Sequence, residues 1–591
     1  MSHCEQKFAK PTESCLLFPS RKAAQRCRDF LKRYYNPQDA LSSSTSISKA
    51  SSTIARLAEI TVLAPTAEYT ESSLPNAVTL YVIIFPKDAF PVAKSYWQHT
   101  GDGISSRHAE YVLRLLQAKQ EEEQTQEKLM NLKISSKKRY SNPRPPVAVA
   151  NVTNTNNIDS NNNDINKSIT KNNNLNNNIT DNNNDCDNSN NSNIVNSKKA
   201  SADELLFGAN SYVEERYGRN LSAEFAEKAK IVLKRRIAGV FGVESDEENL
   251  QNVASKAIEG ISERDLMVVS EDDVYLFPCG MSAIFNAHRI ILSAFPHKKS
   301  VCFGFVYVDT LKILEKFGPG CHFFGHGSST DIDALENLLA SGEKILCLFC
   351  EFPSNPLLKS PDLKRLRALA DKYDFLIIVD ETIGNYINVR VLECADIIVS
   401  SYTKIFSGDS NVMGGGLVLN PQRRHYQKLK EALKVEYEDL FWAEDVIFLE
   451  RNSRTFRERI LKINENAEML CDFLNSNSKV KKLYYPKFIT PEIYAQYMRK
   501  EGCYGGLFSI TFHSERASAQ FFDALPIAKG PSLGTNFTLA CPYTILAHYT
   551  ELDWAAKFGV EKVLVRVSVG LENKETLLTA FQIGLDAITD N

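Results

Sequence analysis

A lysine with hydroxyl side chains just before it and glycines shortly after it lies in the segment 399–416, VSSYTKIFSGDSNVMGGG. The segment overlaps the short apolar stretch DIIVS, which is typical of a strand, so Lys404 is expected just beyond a sheet strand. Such an amine can react with an aldehyde, while Ser401, Thr403 and the glycines hold a phosphate. A plain surface lysine is the alternative, because S-x-T-K alone is a weak pattern.

Two further strand ends carry groups that could serve the same site. Asp380 ends the apolar stretch FLIIVD, where open α/β sheets present ligand groups, and its carboxylate could hold a pyridine nitrogen protonated. In LFPCGMSAI a strand turns through Gly280 into a helix whose N-terminus could bind phosphate. A helix-capping aspartate and an ordinary tight turn are the respective alternatives.

The stretch LCLFCEFPSNPLL runs from an apolar strand into a polar turn that contains Asn355. Asn355 is expected beside the same cleft, or else in an ordinary Asn-Pro turn. Cys347 and Cys350 form a C-x-x-C spacing, but their place inside an apolar run favours core packing over a redox pair or a zinc site. We predict no metal site.

These candidates need a scaffold of alternating strands and helices. From residue 201 onward, short apolar strands such as SVCFGFVYV and ILCLFCEF alternate with amphipathic helices such as DLKRLRALADKY. This alternation is typical of βαβ units around a mostly parallel, doubly wound sheet. A helix-rich stretch, 445–475, and strands such as VLVRVSVG predict a second, smaller α/β domain.

The N-terminal part has a different composition. VTLYVIIF, 78–85, predicts a buried strand, and 106–130 predicts a helix that becomes increasingly charged. We interpret this part as an accessory region without visible chemistry. The asparagine-dominated segment that follows buries too little apolar surface to fold, so it is predicted to be a disordered linker.

Composition argues against several classes of partner. The 69 basic and 72 acidic residues give a net charge of -3, which provides no electrostatic reason for binding nucleic acid or an anionic membrane. The 13 cysteines lack the dense spacing of a secreted disulfide scaffold, and no apolar run approaches the ~20 residues that span a bilayer. We expect a cytoplasmic protein, without excluding the nucleus, that acts on small molecules.

Taken together, the motifs resemble the cystathionine γ-synthase/cystathionine lyase family, the trans-sulfuration group of fold-type I enzymes that use pyridoxal 5'-phosphate (PLP). The family's pattern is matched in order, over about 200 to 591, by ERYGRN, PCGMSAI, EFPSNPLL, VDETIG, SSYTKIFSG, KGPSLGTNF and VRVSVGLEN. The long N-terminal extension resembles the fungal branch.

The composition and element pattern divide the chain into five segments, and the resemblance adds the roles of the arm and of the PLP-binding domain. They are the N-terminal accessory region 1–149, the asparagine-rich linker 150–198, an arm 199–264 that contributes to the neighbouring subunit's active site, the large PLP-binding domain 265–440 and the small domain 441–591. Tyr217 and Arg219, in RYGRN, match the residues that the family lends to the neighbour's phosphate. A homodimer or homotetramer with shared active sites is therefore implied.

Roles follow residue by residue. Lys404 resembles the family's Schiff-base lysine and proton shuttle, and Asp380 the partner of the pyridine nitrogen. Arg566 resembles the arginine that grips the substrate carboxylate. Asn355 and Ser532 would assist Arg566, and the residues that resemble the phosphate cradle are Gly280, Met281, Ser401 and Thr403.

The chain departs from the family at two places. Where the family stacks a tyrosine on the cofactor, this chain has Phe303, with Tyr307 four residues later. Phe303 could stack but could not transfer protons, so any acid–base role would fall to Tyr307. Glu381 also stands in place of the usual asparagine in Asp-Asn-Thr.

The implied reaction condenses an O-acylhomoserine with cysteine to give cystathionine. The fungal resemblance, and Val308 where a basic residue could have met a succinyl group, favour the acetyl ester over the succinyl ester. O-acetylhomoserine sulfhydrylation and cystathionine lysis are alternatives on the same fold. A catalytically weak regulatory or scaffold protein is an alternative of another class.

Overall fold

The computed structural model describes residues 2–36, 55–64, 74–75, 77–139, 225–239, 264 and 269–589. The predicted linker, and most of the predicted arm with Tyr217 and Arg219, lie outside the described residues. The described residues up to 122 and from 225 onward form one compact unit, and the rest of the helix that crosses residue 122 belongs to a second. Among the described helices, none combines the length and apolar character needed to cross a bilayer.

The N-terminal region is built on a three-stranded antiparallel sheet in the order β1-β3-β2. The predicted strand at 78–85 is confirmed, and both of its faces are buried, which explains its continuous apolar run. The elements are α1 (Ser2–Phe8), β1 (Glu13–Phe18), α2 (Arg21–Tyr34), β2 (Arg56–Leu63), β3 (Ala77–Pro86), α3 (Phe90–Thr100) and α4 (Ser106–Arg139).

The central layer is a seven-stranded sheet in the order β4-β10-β9-β8-β7-β5-β6, in which β10 alone runs antiparallel to its neighbours. Helices cover both faces, as in the predicted doubly wound α/β class. The elements are α5 (Ala226–Ile237), β4 (Val274–Phe277), α6 (Gly280–Ala294), β5 (Ser300–Phe303), α7 (Val308–Lys316), β6 (Cys321–Phe324), α8 (Ser329–Ala340), β7 (Cys347–Glu351), α9 (Leu363–Tyr373), β8 (Leu376–Asp380), α10 (Asn385–Asn388), β9 (Ile397–Ser401), β10 (Gly415–Leu419) and α11 (Tyr426–Glu436).

A second sheet of five strands, in the order β11-β12-β15-β14-β13, is antiparallel except for the short pair β13 and β14. The predicted helix-rich stretch before it consists of α12 and α13. The elements are α12 (Ala443–Asn452), α13 (Phe456–Asn475), β11 (Val480–Tyr484), α14 (Pro486–Ile489), α15 (Pro491–Tyr497), β12 (Leu507–Phe512), α16 (Glu515–Ala524), β13 (Ala528–Lys529), β14 (Leu539–Pro542), α17 (Tyr543–His548), α18 (Leu552–Lys557), β15 (Val565–Ser568) and α19 (Lys574–Asp586).

Side chains of the central sheet alternate between two apolar clusters, one on each face. Cys350 belongs to the first cluster and Cys347 to the second, and both are buried. The two thiols therefore point to opposite faces of β7 and serve as core side chains. The alternation also determines which strand-end residues share a face.

Candidate active site

The carboxyl ends of three neighbouring parallel strands carry polar groups at one edge of the central sheet. Glu351 ends β7, Asp380 ends β8 and Ser401 ends β9. Glu351 lies directly opposite Asp380 in the register, and Asp380 lies opposite Val399. All three side chains have the parity of the second cluster, so they project on one face.

Glu351 and Asp380 form a pair of adjacent carboxyl groups. The Glu351 carboxyl accepts hydrogen bonds from the backbone N–H groups of Tyr307 at 2.6 Å and Asn355 at 2.7 Å. Asp380 Oδ1 accepts one from the backbone N–H of Thr382 at 2.8 Å. Burial raises the pKa of both carboxyl groups, and the charge of Asp380 raises that of Glu351 further. A cation placed against them would stabilise their ionised forms.

Glu351 was missed by the sequence analysis. It is buried, and it joins the turn that carries Asn355 to the loop before α7. The signal was available, since an acidic residue ends the apolar strand CLFCE just as Asp380 ends LIIVD. What the sequence did not reveal is that β7 and β8 are direct neighbours.

Lys404 lies in the tight turn that follows β9. Its backbone N–H donates to the Ser401 carbonyl at 3.3 Å, and its own carbonyl accepts from the Gly408 N–H at 2.8 Å. The Nζ atom donates to Ser532 Oγ of the second sheet's domain at 3.2 Å. Burial, and next the nearby Arg566 cation, lower the pKa of Lys404 to about 8. Far more of this amine is therefore neutral near pH 7 than of an ordinary lysine, although the protonated form still predominates, and the neutral form is the one that a nucleophile or base requires.

The predicted phosphate cradle is assembled only in part. Gly280 begins α6 and packs so closely on Ser401 that an added Cβ would lie 2.6 Å from the Ser401 Cβ. Met281 is the next residue of the same helical turn. The Thr403 hydroxyl instead donates to the Gly414 carbonyl at 3.2 Å and accepts from the Gly414 N–H at 3.1 Å. Gly280 and Ser401 are thus in close contact, while the Thr403 hydroxyl is bound to Gly414 of its own loop.

Arg566 lies in β15, between β12 and β14, and is buried. Its guanidinium donates to Asn355 Oδ1 at 3.1 Å and to the carbonyls of Pro531 at 2.6 Å and Ser532 at 2.9 Å. It also lies over the ring of Tyr543, 4.8 Å from the centroid. Arg566 therefore contacts both of the residues predicted to help it hold a substrate carboxylate.

Phe303 lines a small cavity together with Glu351, but it does not share the sheet face of Asp380. It is 1% exposed and shares the first apolar cluster with Val301 and Val379, on the face opposite to Asp380. Its ring faces that of Phe324 on β6. Phe303 therefore lies near Glu351 rather than Asp380, and its contact with the cofactor stays a prediction.

Tyr307 is the aromatic residue of that segment that faces the site. It precedes α7, is 41% exposed and has its backbone N–H bound to Glu351. Burial and then the Asp309 carboxylate raise the pKa of its hydroxyl, whereas the Arg566 cation opposes that rise. The hydroxyl is thus within electrostatic reach of both Asp309 and Arg566.

Glu381, the second departure from the family pattern, is buried beside Asp380. Its carboxylate accepts a hydrogen bond from Arg264 at 2.6 Å, and both side chains are 2% exposed. Arg264 also donates to the Ile237 carbonyl and lies 4.3 Å from the ring centroid of Tyr386. The acidic residue is therefore matched by a buried arginine that an asparagine would not need.

The residues present fit PLP. Asp380 and Glu351 suit the protonated ring nitrogen, because a cation there stabilises two carboxylates that burial disfavours. Lys404 offers an amine of lowered pKa in the turn after the neighbouring strand β9, and Gly280 with Ser401 forms a close turn at a helix N-terminus, which suits a phosphate. When bound, PLP supplies an electron sink for a substrate carbanion.

Comparison with known proteins agrees with this fit. Residues 263–586 match the family model of Cys/Met metabolism PLP-dependent enzymes, and residues 1–105 match that of the fungal trans-sulfuration enzyme N-terminal domain. Cystathionine gamma-synthase of Neurospora crassa is 42% identical over 98% of this chain and 87% of its own length. The Saccharomyces cerevisiae cystathionine gamma-synthase is 37% identical over 98% of this chain and 89% of its own length.

A further relative is the cystathionine gamma-synthase-like enzyme iboG2 of Amanita muscaria, which is 42% identical over 99% of this chain and 87% of its own length. The solved structure of cystathionine gamma-lyase from yeast is 22% identical over 62% of this chain and 98% of its own, with a TM-score of 0.49. The matched family models and the full-length relatives show that the chain is a PLP-dependent enzyme belonging to the Cys/Met metabolism family, with the fungal trans-sulfuration N-terminal domain at its start.

Proposed function

We propose that this chain is a cystathionine γ-synthase that replaces the acetoxy group on Cγ of O-acetyl-L-homoserine with the sulfur of L-cysteine. The Cγ–O bond breaks, the Cγ–S bond forms, acetate leaves and the thiol proton is released. The observation that carries the proposal is the contact between Ser532 and both active groups. Its hydroxyl accepts from Lys404 at 3.2 Å, and its carbonyl accepts from Arg566 at 2.9 Å.

This arrangement suits an α-amino acid substrate. Arg566 can bind the α-carboxylate with two parallel N–H groups, and Asn355 holds one end of its guanidinium in place. A carboxylate bound there brings the substrate Cα near Lys404, which takes the Cα proton because its pKa is lowered to about 8. Fixing the carboxylate at one end and the amine at the other orients the Cα–H bond for removal.

A γ-replacement requires a second proton movement, from Cβ, before the Cγ–O bond can break. Lys404 can serve both carbons, since its flexible side chain reaches from the turn after β9 toward Ser532. Tyr307, exposed and within electrostatic reach of Arg566, would move a proton at the departing acetate or the incoming thiol. Asp380, with Glu351 beside it, would keep the ring nitrogen protonated.

Further parts of the proposal concern assembly and substrate. Tyr217 and Arg219 are proposed to bind the phosphate of a neighbouring subunit, which requires at least a dimer, with a tetramer as the alternative. The protein is proposed to act in the cytoplasm on the acetyl rather than the succinyl ester. Val308, which follows Tyr307, offers no cation for a succinyl carboxylate.

Sequence identity alone does not decide the reaction, because a relative named for a different activity also matches nearly the whole chain. An alanine racemase, ungC of Aspergillus violaceofuscus, is 28% identical over 99% of this chain. The test is to incubate the purified protein with O-acetylhomoserine and either cysteine or sulfide. Cystathionine from the cysteine reaction supports the proposal. If the protein makes homocysteine with sulfide but no cystathionine with cysteine, it is a sulfhydrylase. If it breaks down added cystathionine, it is a lyase.

The Lys404→Ala variant serves as the control for uncatalysed product. Repeating the cysteine reaction with O-succinylhomoserine tests the acyl group. A wild-type protein that binds PLP but converts none of these substrates would contradict the proposal and favour the regulatory alternative.

A further inference from the structure

The end of α3 in the N-terminal region touches two parts of the candidate active site. The contact segment His99–Asp102 packs against the phosphate turn 279–282 and against the first turn of α7. The phosphate turn contains Gly280, and the first turn of α7 directly follows Tyr307. The N-terminal region thus lies directly behind both groups.

Gly101 makes the contact with the phosphate turn. Its φ of 62° is in the left-handed region, where it ends α3. An added Cβ would lie 2.4 Å from Cys279 Sγ and 2.9 Å from the Ser282 backbone nitrogen. The Cys279 thiol in turn lies 3.8 Å from the Gly101 carbonyl oxygen, within reach for a thiol donor. Only glycine leaves room for this approach.

His99 makes the contact with α7. Its Nδ1 lies 2.9 Å from Asp309 Oδ1, and its Nε2 lies 3.1 Å from Lys316 Nζ. Lys316 can only donate, so Nε2 accepts and the ring carries its proton on Nδ1, from which it donates to Asp309. His99 and Asp309 are both buried. Asp309 lies two residues after Tyr307, so this hydrogen bond fixes the first turn of α7.

The contact segment is itself held rigidly. The Asp102 carboxylate accepts hydrogen bonds from Arg26 at 3.0 and 3.2 Å and from the Tyr96 hydroxyl at 2.9 Å. Arg26 also approaches Glu438, which precedes α12, at 3.6 Å. A buried, charge-paired support of this kind costs free energy to rearrange, so the segment can transmit a fixed position.

We infer that the contact segment His99–Asp102 is a positioning element of the active site, which holds the phosphate turn through Gly101 and the Tyr307 segment through His99 and Asp309. The inference rests on the cofactor roles proposed above for Gly280 and Tyr307. It assigns the N-terminal region a part in binding PLP, whereas the sequence analysis found no chemistry there. The alternative is simple packing that stabilises the fold and leaves PLP affinity unchanged.

The test measures PLP affinity of the full-length apoenzyme by absorbance titration, together with the melting temperature. His99→Leu removes the donor to Asp309 and is expected to raise the PLP dissociation constant about tenfold, since a buried acceptor loses its partner. His99→Asn can keep a donor near the Nδ1 position and is expected to recover most of the affinity. Lys316→Met, at a partly exposed position, is expected to give a rise of about threefold.

The matched control is His108→Leu. His108 is also a buried histidine of the N-terminal region, but it stacks on Trp442 with ring centroids 4.1 Å apart. It should lower the melting temperature without changing the PLP dissociation constant more than about twofold. Equal changes in affinity for His99→Leu and His108→Leu, or none for His99→Leu and Lys316→Met, would overturn the inference.

The Gly101 contact has its own test. Gly101→Ala is expected to raise the PLP dissociation constant about tenfold or more, because the new methyl group displaces Cys279 and Ser282. Adding Cys279→Ala removes the nearer clash and should recover part of the affinity, which strain from the positive φ alone would not do. No recovery would contradict the positioning role of this contact.

These measurements separate the inference from the proposed function, because they use PLP as the only ligand and no substrate. A wild-type protein that fails to make cystathionine would refute the proposed function while leaving the affinity comparison intact. If the wild type makes cystathionine but His99→Leu leaves the PLP affinity unchanged, the proposed function stands and the inference about the contact segment is refuted.

Discussion

The two large sheets contribute to the site in different ways. The central sheet is mostly parallel, so the carboxyl ends of β7, β8 and β9 meet at one edge and bring Glu351, Asp380 and Ser401 together. The second sheet is largely antiparallel, and its contribution, Arg566, comes from the interior of β15. Parallel strands bring the groups at their carboxyl ends together. The antiparallel sheet instead holds Arg566 in its interior, where hydrogen-bond acceptors surround the guanidinium.

The difference predicts a division of labour. Residues from the edge of the central sheet should control the cofactor, and Arg566 should control the substrate alone. Ser532 touches both sides, because it contacts Lys404 and Arg566. Variants in the two groups should therefore separate by their readouts.

The largest effect is expected for Lys404→Ala. Without the amine, the protein should lose covalent attachment of PLP and the proton transfers at Cα and Cβ, so kcat should fall about 10⁴-fold. Borohydride treatment followed by mass spectrometry should label the wild type and leave the variant unlabelled. Labelling of the variant at another lysine would contradict the assignment.

Arg566→Lys is expected to lower kcat/KM about 10²-fold, because a lysine keeps the charge but loses the paired N–H groups. The visible absorbance of bound PLP should stay as in the wild type, in contrast to Lys404→Ala. Arg516→Lys, in α16, is the matched control and should leave kcat/KM unchanged. If Arg566→Lys removed the PLP absorbance, the division between the two sheets would fail.

Glu351→Gln is expected to change the pH dependence of stability. Because the pKa of Glu351 is raised above its ordinary 4.5, stability that it contributes is present below pH 4.5 and is lost as the pH rises through the raised value. The melting temperature of the wild-type apoenzyme should therefore fall from pH 5 to 8 by about 2–4 °C more than that of the variant.

Glutamine accepts at one oxygen only, so the variant should also be less stable at every pH, since one of two backbone N–H groups loses its acceptor. Glu515→Gln, at an exposed position, is the control and should follow the wild-type curve. Parallel curves for Glu351→Gln and wild type would show that the carboxyl titrates normally.

The smallest effect is expected for Ser532→Ala. The loss of one hydrogen bond to Lys404 should cost about 1 kcal/mol, which lowers kcat/KM about fivefold. Since the Ser532 carbonyl still accepts from Arg566, KM should change less than kcat. A change confined to KM would show that the hydroxyl acts only in substrate binding.

Much of this division was readable from the sequence. Asp380, Ser401 and Lys404 follow apolar strands directly, and parallel strands align their ends, so their convergence was predictable. Arg566 was found only through the resemblance to a family, because an arginine inside an apolar strand carries no local signal of what it binds. Its contacts with Asn355 and Ser532 bring together residues more than 30 positions apart.

The choice between Phe303 and Tyr307 shows why the rest could not be predicted. In one continuous strand they would share a face, because they are four positions apart, and they separate only because β5 ends at Phe303, whereas the sequence SVCFGFVYV also allows a strand that ends at 308. The contact of Gly101 with the phosphate turn was equally hidden, since it joins segments 178 residues apart. Such contacts depend on how separate layers pack.

The buried pair of Arg264 and Glu381 bears on how this sequence can change. Removing the Glu381 carboxylate or the Arg264 guanidinium alone would break a buried ion pair at a cost of about 3–5 kcal/mol, while replacing both together by neutral side chains avoids that cost. The single change Glu381→Asn, to the asparagine usual in the family, is therefore expected to lower stability while Arg264 is unchanged. We therefore expect a designed variant that changes one of the two positions to be stable only when it also changes the other.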